Sequence, residues 1–299
     1  MGGAGRRHGM RWDPGDRYRR RAQLRCGTVA DRSPGWSVQE VEAGMSEFAE
    51  WSKQAGAGVR FEWGLTGARA LGPECAALVV VDVLSFTTSV SVAVEAGTRV
   101  LPYPWRDGNA AEFAAAHGAR LAVGRRAVSD EQPWSLSPAA LRRAPVPERL
   151  VLPSPNGSAI SAAVSGIPVI AASLRNAAAV ARWIAGQGWG SAERPVAVIA
   201  AGEHWPGESG LRPAVEDWLG AGAVISALTE FGVDGLSSEA RAAKAGYDGI
   251  GDIAGLIRES ASGRELAAIG FADDVAIALE IGAGKTVPVL VDGAFSAAR

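Results

Sequence analysis

The chain has 299 residues, 47% of them hydrophobic and 21% charged, with a formal net charge of -2. That balance supports a substantial buried core and excludes disorder of the whole chain. It also excludes a general nucleic-acid binder, which would carry a basic footprint. No apolar stretch reaches membrane-spanning length without polar interruption. The two cysteines, Cys26 and Cys75, form no C-x-x-C pair, so a zinc knuckle or dithiol centre is not indicated. Cys75 precedes an apolar run and reads as a small core residue. With no disulfide framework and no secretory apolar segment near the start, a reducing cytoplasm is the expected compartment.

Residues 1–44 stand apart. They carry Arg6, Arg7, Arg11, Arg17, Arg19, Arg20, Arg21 and Arg25 among Gly, Pro and Asp, without helical or strand periodicity. They read as a disordered Arg-rich extension ahead of an α/β domain over residues 45–299. A phosphate- or nucleic-acid-binding arm and a natural start at Met45 are the alternatives.

Beyond this extension, short apolar runs alternate with amphipathic stretches. Ala77 to Leu84 (ALVVVDVL) is an apolar run broken by one Asp, as in a strand buried on both faces. Thr87 to Ala96 predicts a helix stopped by Gly97. Arg99 to Pro102 follows as a strand, Asn109 to His117 as a helix and Arg120 to Val123 as a strand. Leu150 to Leu152 leads through Pro-Ser-Pro-Asn-Gly into a helix over Ser158 to Val164. Pro168 to Ala172 and Pro195 to Ala201 predict strands around a helix from Asn176 to Ala185. Val215 to Phe231 predicts a long helix. Glu239 to Ala245, Ile250 to Glu259 and Gly263 to Ile269 look helical, and Val287 to Val291 is read as the last strand. This alternation predicts a three-layer α/β/α fold on a largely parallel or mixed sheet. Weak echoes among the turns at Asp82, Asn156 and Gly202 leave an internal duplication open.

In such sheets ligands bind beyond the carboxyl ends of the strands. Asp82 ends VVVD and is followed by Ser85, Thr87, Thr88 and Ser89. A carboxylate beside hydroxyls and free N–H groups at a helix start suits Mg²⁺ and a phosphate together. Plain helix capping by Ser85 or Thr87 is the alternative, but an Asp in so apolar a run is costly to bury unless used. The Asn156-Gly157-Ser158 turn opens another helix and offers amides to an anion, or is only a turn. His204, in the loop after Ala201-Gly202-Glu203, is either a proton donor to a leaving group or a surface histidine. Glu216 and Asp217 open a helix, where acidic residues also complement the helix dipole. P-loop, nucleophile-elbow and H-E-x-x-H motifs are absent. So is the second Asp of a haloacid-dehalogenase-type phosphatase, whose position is taken by Leu84.

Segments in a fixed order carry a family resemblance. VVVDVLSFTTSVSVAVEAG, VGRRAVSDEQPWSLSPAAL, LPSPNGSAI, ASLRNAAAVARWI, VIAAGEHWPGESGLRPAVEDWLGAGAVISAL and GRELAAIGFADDVAIALEIGAGKTVPVL together resemble the 2-phosphosulfolactate phosphatase family, from Phe61 to Asp292. The resemblance implies a layered α/β/α phosphatase that uses Mg²⁺ and hydrolyses a small anionic phosphoester such as 2-phosphosulfolactate. It places Asp82, Asn156, Gly157, Glu216 and Asp217 at motif positions. Asp82, Glu216 and Asp217 are then the expected Mg²⁺ ligands by hard-ligand chemistry. Asp82 and His204 are the expected catalytic groups, and Ser85, Thr87, Thr88, Asn156, Gly157, Ser158 and Arg125 the substrate contacts. Ser85 stands where the family has Arg, and Arg125 where it has Glu. Arg125, Arg126 or Arg175 is expected to restore the missing charge. The implied partner is a small anionic phosphorylated substrate, not nucleic acid or membrane, and a homodimer is one assembly open to the chain. A catalytically silent relative that binds such a metabolite is the alternative function.

Overall fold

A computed structural model describes residues 50–104, 109–208 and 210–298. The Arg-rich segment, Cys26 and the choice of natural start lie outside the described residues. Among the described residues are β1 (Val59–Trp63), α1 (Gly64–Leu71), β2 (Ala77–Val81), α2 (Phe86–Glu95), β3 (Arg99–Tyr103), α3 (Asn109–Ala116) and β4 (Arg120–Leu121). Then come α4 (Pro138–Arg143), β5 (Arg149–Pro153), α5 (Gly157–Ser161), β6 (Val169–Ala172), α6 (Ala177–Gly186), β7 (Val196–Ala200), β8 (Glu203–His204) and β9 (Leu211–Arg212). The chain continues through α7 (Val215–Glu230), α8 (Ser238–Gly249), α9 (Ile253–Glu259), α10 (Ala261–Ala268) and α11 (Ala272–Ala278), and closes with β10 (Pro288–Val291) and β11 (Ala294–Ala297).

Nine strands form one mixed sheet in the order β1-β7-β2-β6-β10-β11-β3-β5-β4. β1, β7, β2 and β6 run parallel to one another, as do β3, β5 and β4. The antiparallel hairpin β10–β11 joins the two blocks. The strand expected to be the last is therefore the first arm of that hairpin.

Side-chain alternation builds the layers. Ala77, Val79 and Val81 of β2 enter one core with Val196, Val198 and Ala200 of β7, under α6 to α11. Leu78 and Val80 enter the opposite core with Ala197 and Ile199, under α1, α2 and α5. Strands buried on both faces read as unbroken apolar runs, which is why β2 and β7 were visible in the sequence. The three-layer α/β/α expectation holds, and the sheet is mixed.

The small residues of α7 (GAGA) serve close approach. A Cβ on Gly220 would meet Val83 Cγ2 at 2.7 Å and Val81 Cγ1 at 2.8 Å. The helix therefore lies tight against β2 and brings the carboxylates of its first turn beside the loop that leaves that strand. Cys75 is buried and free, and burial pushes its thiol up to about 11, as expected of an inert core cysteine.

Candidate active site

The site forms where the loops leaving β2, β5 and β7 meet. Asp82 is the first residue after β2 and is only 6% exposed. Its Oδ1 accepts from the Phe86 amide at 3.1 Å, at the start of α2, and its Oδ2 accepts from the Gly157 amide at 2.9 Å. Backbone from two separate loops thus fixes both oxygens. Burial, opposed by those two amides and reinforced by the nearby charge of Glu216, pushes the Asp82 carboxyl up to about 6.

The Asn156–Gly157 turn serves two carboxylates at once. While its Gly157 amide holds Asp82, the Asn156 Nδ2 donates to Glu203 Oε2 at 2.9 Å. Gly157 is obligatory here for space. A Cβ would lie 2.2 Å from Phe86 Cδ1 and 2.7 Å from Asp82 Oδ2. Gly157→Ala is therefore expected to push the turn off Asp82 and to cost about 2–4 kcal/mol, from overpacking plus one lost charge-assisted hydrogen bond. Chemical denaturation checks this; a variant as stable as wild type would show that the turn has room to move.

Asp217, in the first turn of α7, clamps the other two loops. Its Oδ1 accepts from the Val83 amide at 2.7 Å and its Oδ2 from the Gly202 amide at 2.8 Å. Burial and the charges of Asp82 and Glu216 raise its carboxyl well above the ordinary range, against those two amides. Glu216 is 2% exposed and receives no hydrogen bond from a described residue. Glu203 is partly buried, and burial with the charge of Asp82 pushes it up to about 7. Four carboxylates therefore share one electrostatic environment.

Beside them opens a cleft of about 470 Å³, lined by Leu84, Arg125, Glu203, His204 and Arg212 among others. Arg125 reaches across from the 3-10 turn Arg125–Ala127 and donates from Nη2 to Ser85 Oγ at 2.8 Å. The position that lacks the expected arginine is thus served by a guanidinium from elsewhere in the chain. Arg175 does not share this place. Itself buried, it pairs with Glu95 and Glu280 nearer the surface, and Arg126 lies exposed.

The other expected contacts fall into two groups. Thr87 Oγ1 donates to the Asp82 carbonyl at 2.8 Å, Thr88 Oγ1 to the Val83 carbonyl at 2.7 Å and Ser158 Oγ to the Leu152 carbonyl at 3.1 Å. All three hydroxyls are buried and hold the loops in shape, with their protons committed to backbone. The Gly157 amide is likewise committed, to Asp82, and one N–H of Asn156 Nδ2 to Glu203. Arg125 and His204 line the cleft, His204 exposed on its rim, while Ser85 and Asn156 each bond to a residue that lines it. Glu203 and Arg212 were not singled out in the sequence. The signal for Glu203 was its place just after Gly202 at the end of the β7 run.

The donor chemistry suits a hard cation in one manner only. Among the described residues, no three His, Cys, Asp or Glu side chains group closely enough to cage an ion. Mg²⁺ commonly takes one or two carboxylates, with water and substrate phosphate completing its octahedron. Glu216, which accepts no hydrogen bond from a described residue, fits that pattern. Asp82 and Asp217 each have both oxygens accepting from backbone amides, so either could join it only through a remaining lone pair.

The fold and site define a class: an α/β protein that sets buried carboxylates next to an arginine-lined cleft at the loops leaving its strands. A family model described as 2-phosphosulpholactate phosphatase matches residues 69–293, and the chain belongs to that family. It is 27% identical over 226 residues to a protein of Thermotoga petrophila named "probable 2-phosphosulfolactate phosphatase", covering 74% of this chain and 92% of that one. A protein of Thermotoga maritima with the same name is 26% identical over the same coverage. A Deinococcus radiodurans protein of that name is 31% identical over 147 residues, 48% of this chain and 57% of that one. Among the described residues no helix is long and apolar enough to cross a membrane.

Proposed function

We propose that the chain is a phosphoric monoester hydrolase that acts, with Mg²⁺, on a small anionic phosphoester such as 2-phosphosulfolactate. One observation carries this reading: the buried carboxylates Asp82 and Glu216 and the partly buried Glu203 adjoin a cleft that also presents Arg125 and Arg212. Carboxylates alone would repel a phosphoester, whereas arginines offer forked donors to its oxygens. Ser85 extends that donor surface. Glu203, with Oε2 held by Asn156, keeps Oε1 for proton exchange. A carboxyl poised near neutrality can give a proton to the leaving alkoxide oxygen and take one from water. His204 on the rim is the second candidate for that transfer. Asp82 and Glu216 would hold Mg²⁺, which when bound polarises the phosphoryl group and lowers the pKa of water. Asp217, Thr87, Thr88 and Ser158 keep the loops in register. A reducing cytoplasm is the compartment proposed with this reading, in keeping with the free, inert Cys75.

A second reading, binding of such a metabolite without turnover, is favoured by one feature. The amides and hydroxyls expected to cradle phosphate are committed inside the protein. Hydrolysis of 4-nitrophenyl phosphate by the full chain, with and without Mg²⁺, separates the two. Activity that needs Mg²⁺ and Asp82 supports the enzyme; its absence supports the binder.

The raised carboxyls also set a pH dependence. Glu203 titrates near 4.5 when unfolded and at about 7 when folded, so the native state holds its proton more tightly. The stability this gives is present below pH 4.5 and is lost as pH rises through about 7. Asp82 and Asp217 act in the same direction. The thermal midpoint of the wild type is therefore expected to fall between about pH 5 and pH 8, and less steeply in Glu203→Gln. Mg²⁺ at pH 8 is expected to recover part of the loss in wild type but not in Asp82→Asn/Glu216→Gln. Parallel pH profiles for wild type and Glu203→Gln would contradict the assignment of the shift to Glu203.

A further inference from the structure

Asp274 is a carboxylate on α11 with no solvent exposure that none of the site residues above includes. Its Oδ1 accepts from Ser137 Oγ at 2.5 Å and from the Ala139 amide at 3.2 Å, at the start of α4. Its Oδ2 accepts from Arg125 Nε at 3.2 Å. A buried carboxylate is tolerated only when paired and hydrogen-bonded, and here the pairing ion is an arginine that lines the cleft. The guanidinium also lies over the Phe271 ring, 5.6 Å from its centroid, and its Nη2 meets Ser85 Oγ. Three contacts, two from the start of α11 and one from the loop after β2, thus fix the plane of one side chain. Arginine carries five N–H donors. Those not given to Asp274 and Ser85 remain for a ligand, at a wall of the cleft that also presents Leu84.

We propose that Asp274 is a positioning residue for Arg125, and that Arg125 so held selects substrates bearing a second acidic group, a carboxylate or sulfonate, besides the phosphate. The pairing works in both directions: the guanidinium neutralises the buried carboxylate, and the carboxylate holds Nε in place where Arg125 lines the cleft. An arginine free to rotate would lose most of the advantage of its fork, because ordering so flexible a side chain consumes much of what the hydrogen bonds supply. The identity of the substrate rests on the phosphatase reading above; the pairing of Asp274 with Arg125 does not.

The test is calorimetric binding of sulfolactate, which has both acidic groups and no phosphate, to the full chain. Wild type is expected to bind it, with Arg125→Gln and Asp274→Asn each weakening binding at least tenfold. The double variant is expected to bind no more weakly than Arg125→Gln alone, because Asp274 acts only through Arg125. A merely structural Asp274 would instead weaken binding further in the Arg125→Gln background, and that result overturns the proposal. If Asp274→Asn does not fold, Arg125→Lys takes its place. A lysine keeps the charge but cannot span Asp274 and Ser85 together, so tenfold weaker binding is expected and unchanged binding overturns the proposal. Failure of wild type to bind sulfolactate while it hydrolyses 4-nitrophenyl phosphate sinks this inference and leaves the phosphatase standing. Binding that depends on Asp274 without any hydrolysis does the reverse.

Discussion

Asp82→Asn is expected to lower phosphate-ester hydrolysis by at least about 100-fold while leaving the fold intact. The carboxylate accepts from two amides, Phe86 and Gly157. An asparagine has the same shape but only one oxygen, so its NH₂ must face one of those amides. That mismatch costs about 1–3 kcal/mol. Against it stands the removal of a buried charge. Burial already outweighs the two hydrogen bonds in raising the Asp82 carboxyl to about 6, so the neutral amide escapes a cost that the wild type bears at pH 8. The two effects oppose each other, and the melting temperature is expected to stay within a few degrees of wild type at that pH. Activity and stability then separate, which is the signature of a residue kept for chemistry. A variant that melts far lower and retains its specific activity would make Asp82 a loop fastener.

Asp217→Ala is expected to behave differently, losing stability and activity together. Its two oxygens hold the Val83 and Gly202 amides, and alanine leaves both donors buried without an acceptor. Each such donor costs about 1–3 kcal/mol, offset in part because the native carboxyl is itself costly to bury. A net loss of about 2–3 kcal/mol is expected, which in a domain of this size lowers the melting temperature by roughly 5–10 °C. Activity should fall with it, because the β2 and β7 loops carry Asp82 and Glu203. Asp217→Asn, which keeps one acceptor, is expected to fall between the two. An alanine variant with an unchanged melting temperature would show that the clamp has a substitute.

The parts of this fold that were legible in the sequence are those whose burial is symmetrical. β2 and β7 are apolar on both faces and stood out as runs, and the single carboxylate after VVV marked the site. The turn at Asn156–Gly157 was visible by its composition, and α7 by its length. β1, whose VRFEW alternates charged with apolar residues, left no such run. Of the hairpin β10–β11 only the first arm was read, as the last strand; the second, AFSA, carries one large apolar residue, Phe295, too little for a run. The short β8–β9 pair has two residues per strand and no periodicity to detect.

The site was legible in its location more than in its wiring. Thr87, Thr88 and Ser158 are beside the site as expected, yet their hydroxyls face backbone carbonyls, and nothing in a sequence says which way a hydroxyl points. Arg125 answers the serine at position 85 from 40 residues away, a contact only the fold can make. Asp274 had a faint signal: it shares a helix face with the buried Ile277 and Ala278 at i, i+3 and i+4 spacing, an odd place for a carboxylate. Its partner is 149 residues distant, so the oddity could be seen but not explained.

The most direct measurement is phosphate release from 2-phosphosulfolactate by the full chain, with Mg²⁺ present and after its removal by a chelator. The phosphatase reading predicts steady release that stops on chelation, resumes when Mg²⁺ is restored and is missing from Asp82→Asn. Release at the same rate in the chelated wild type or in Asp82→Asn would contradict it, as would a folded wild type that binds the compound and frees no phosphate.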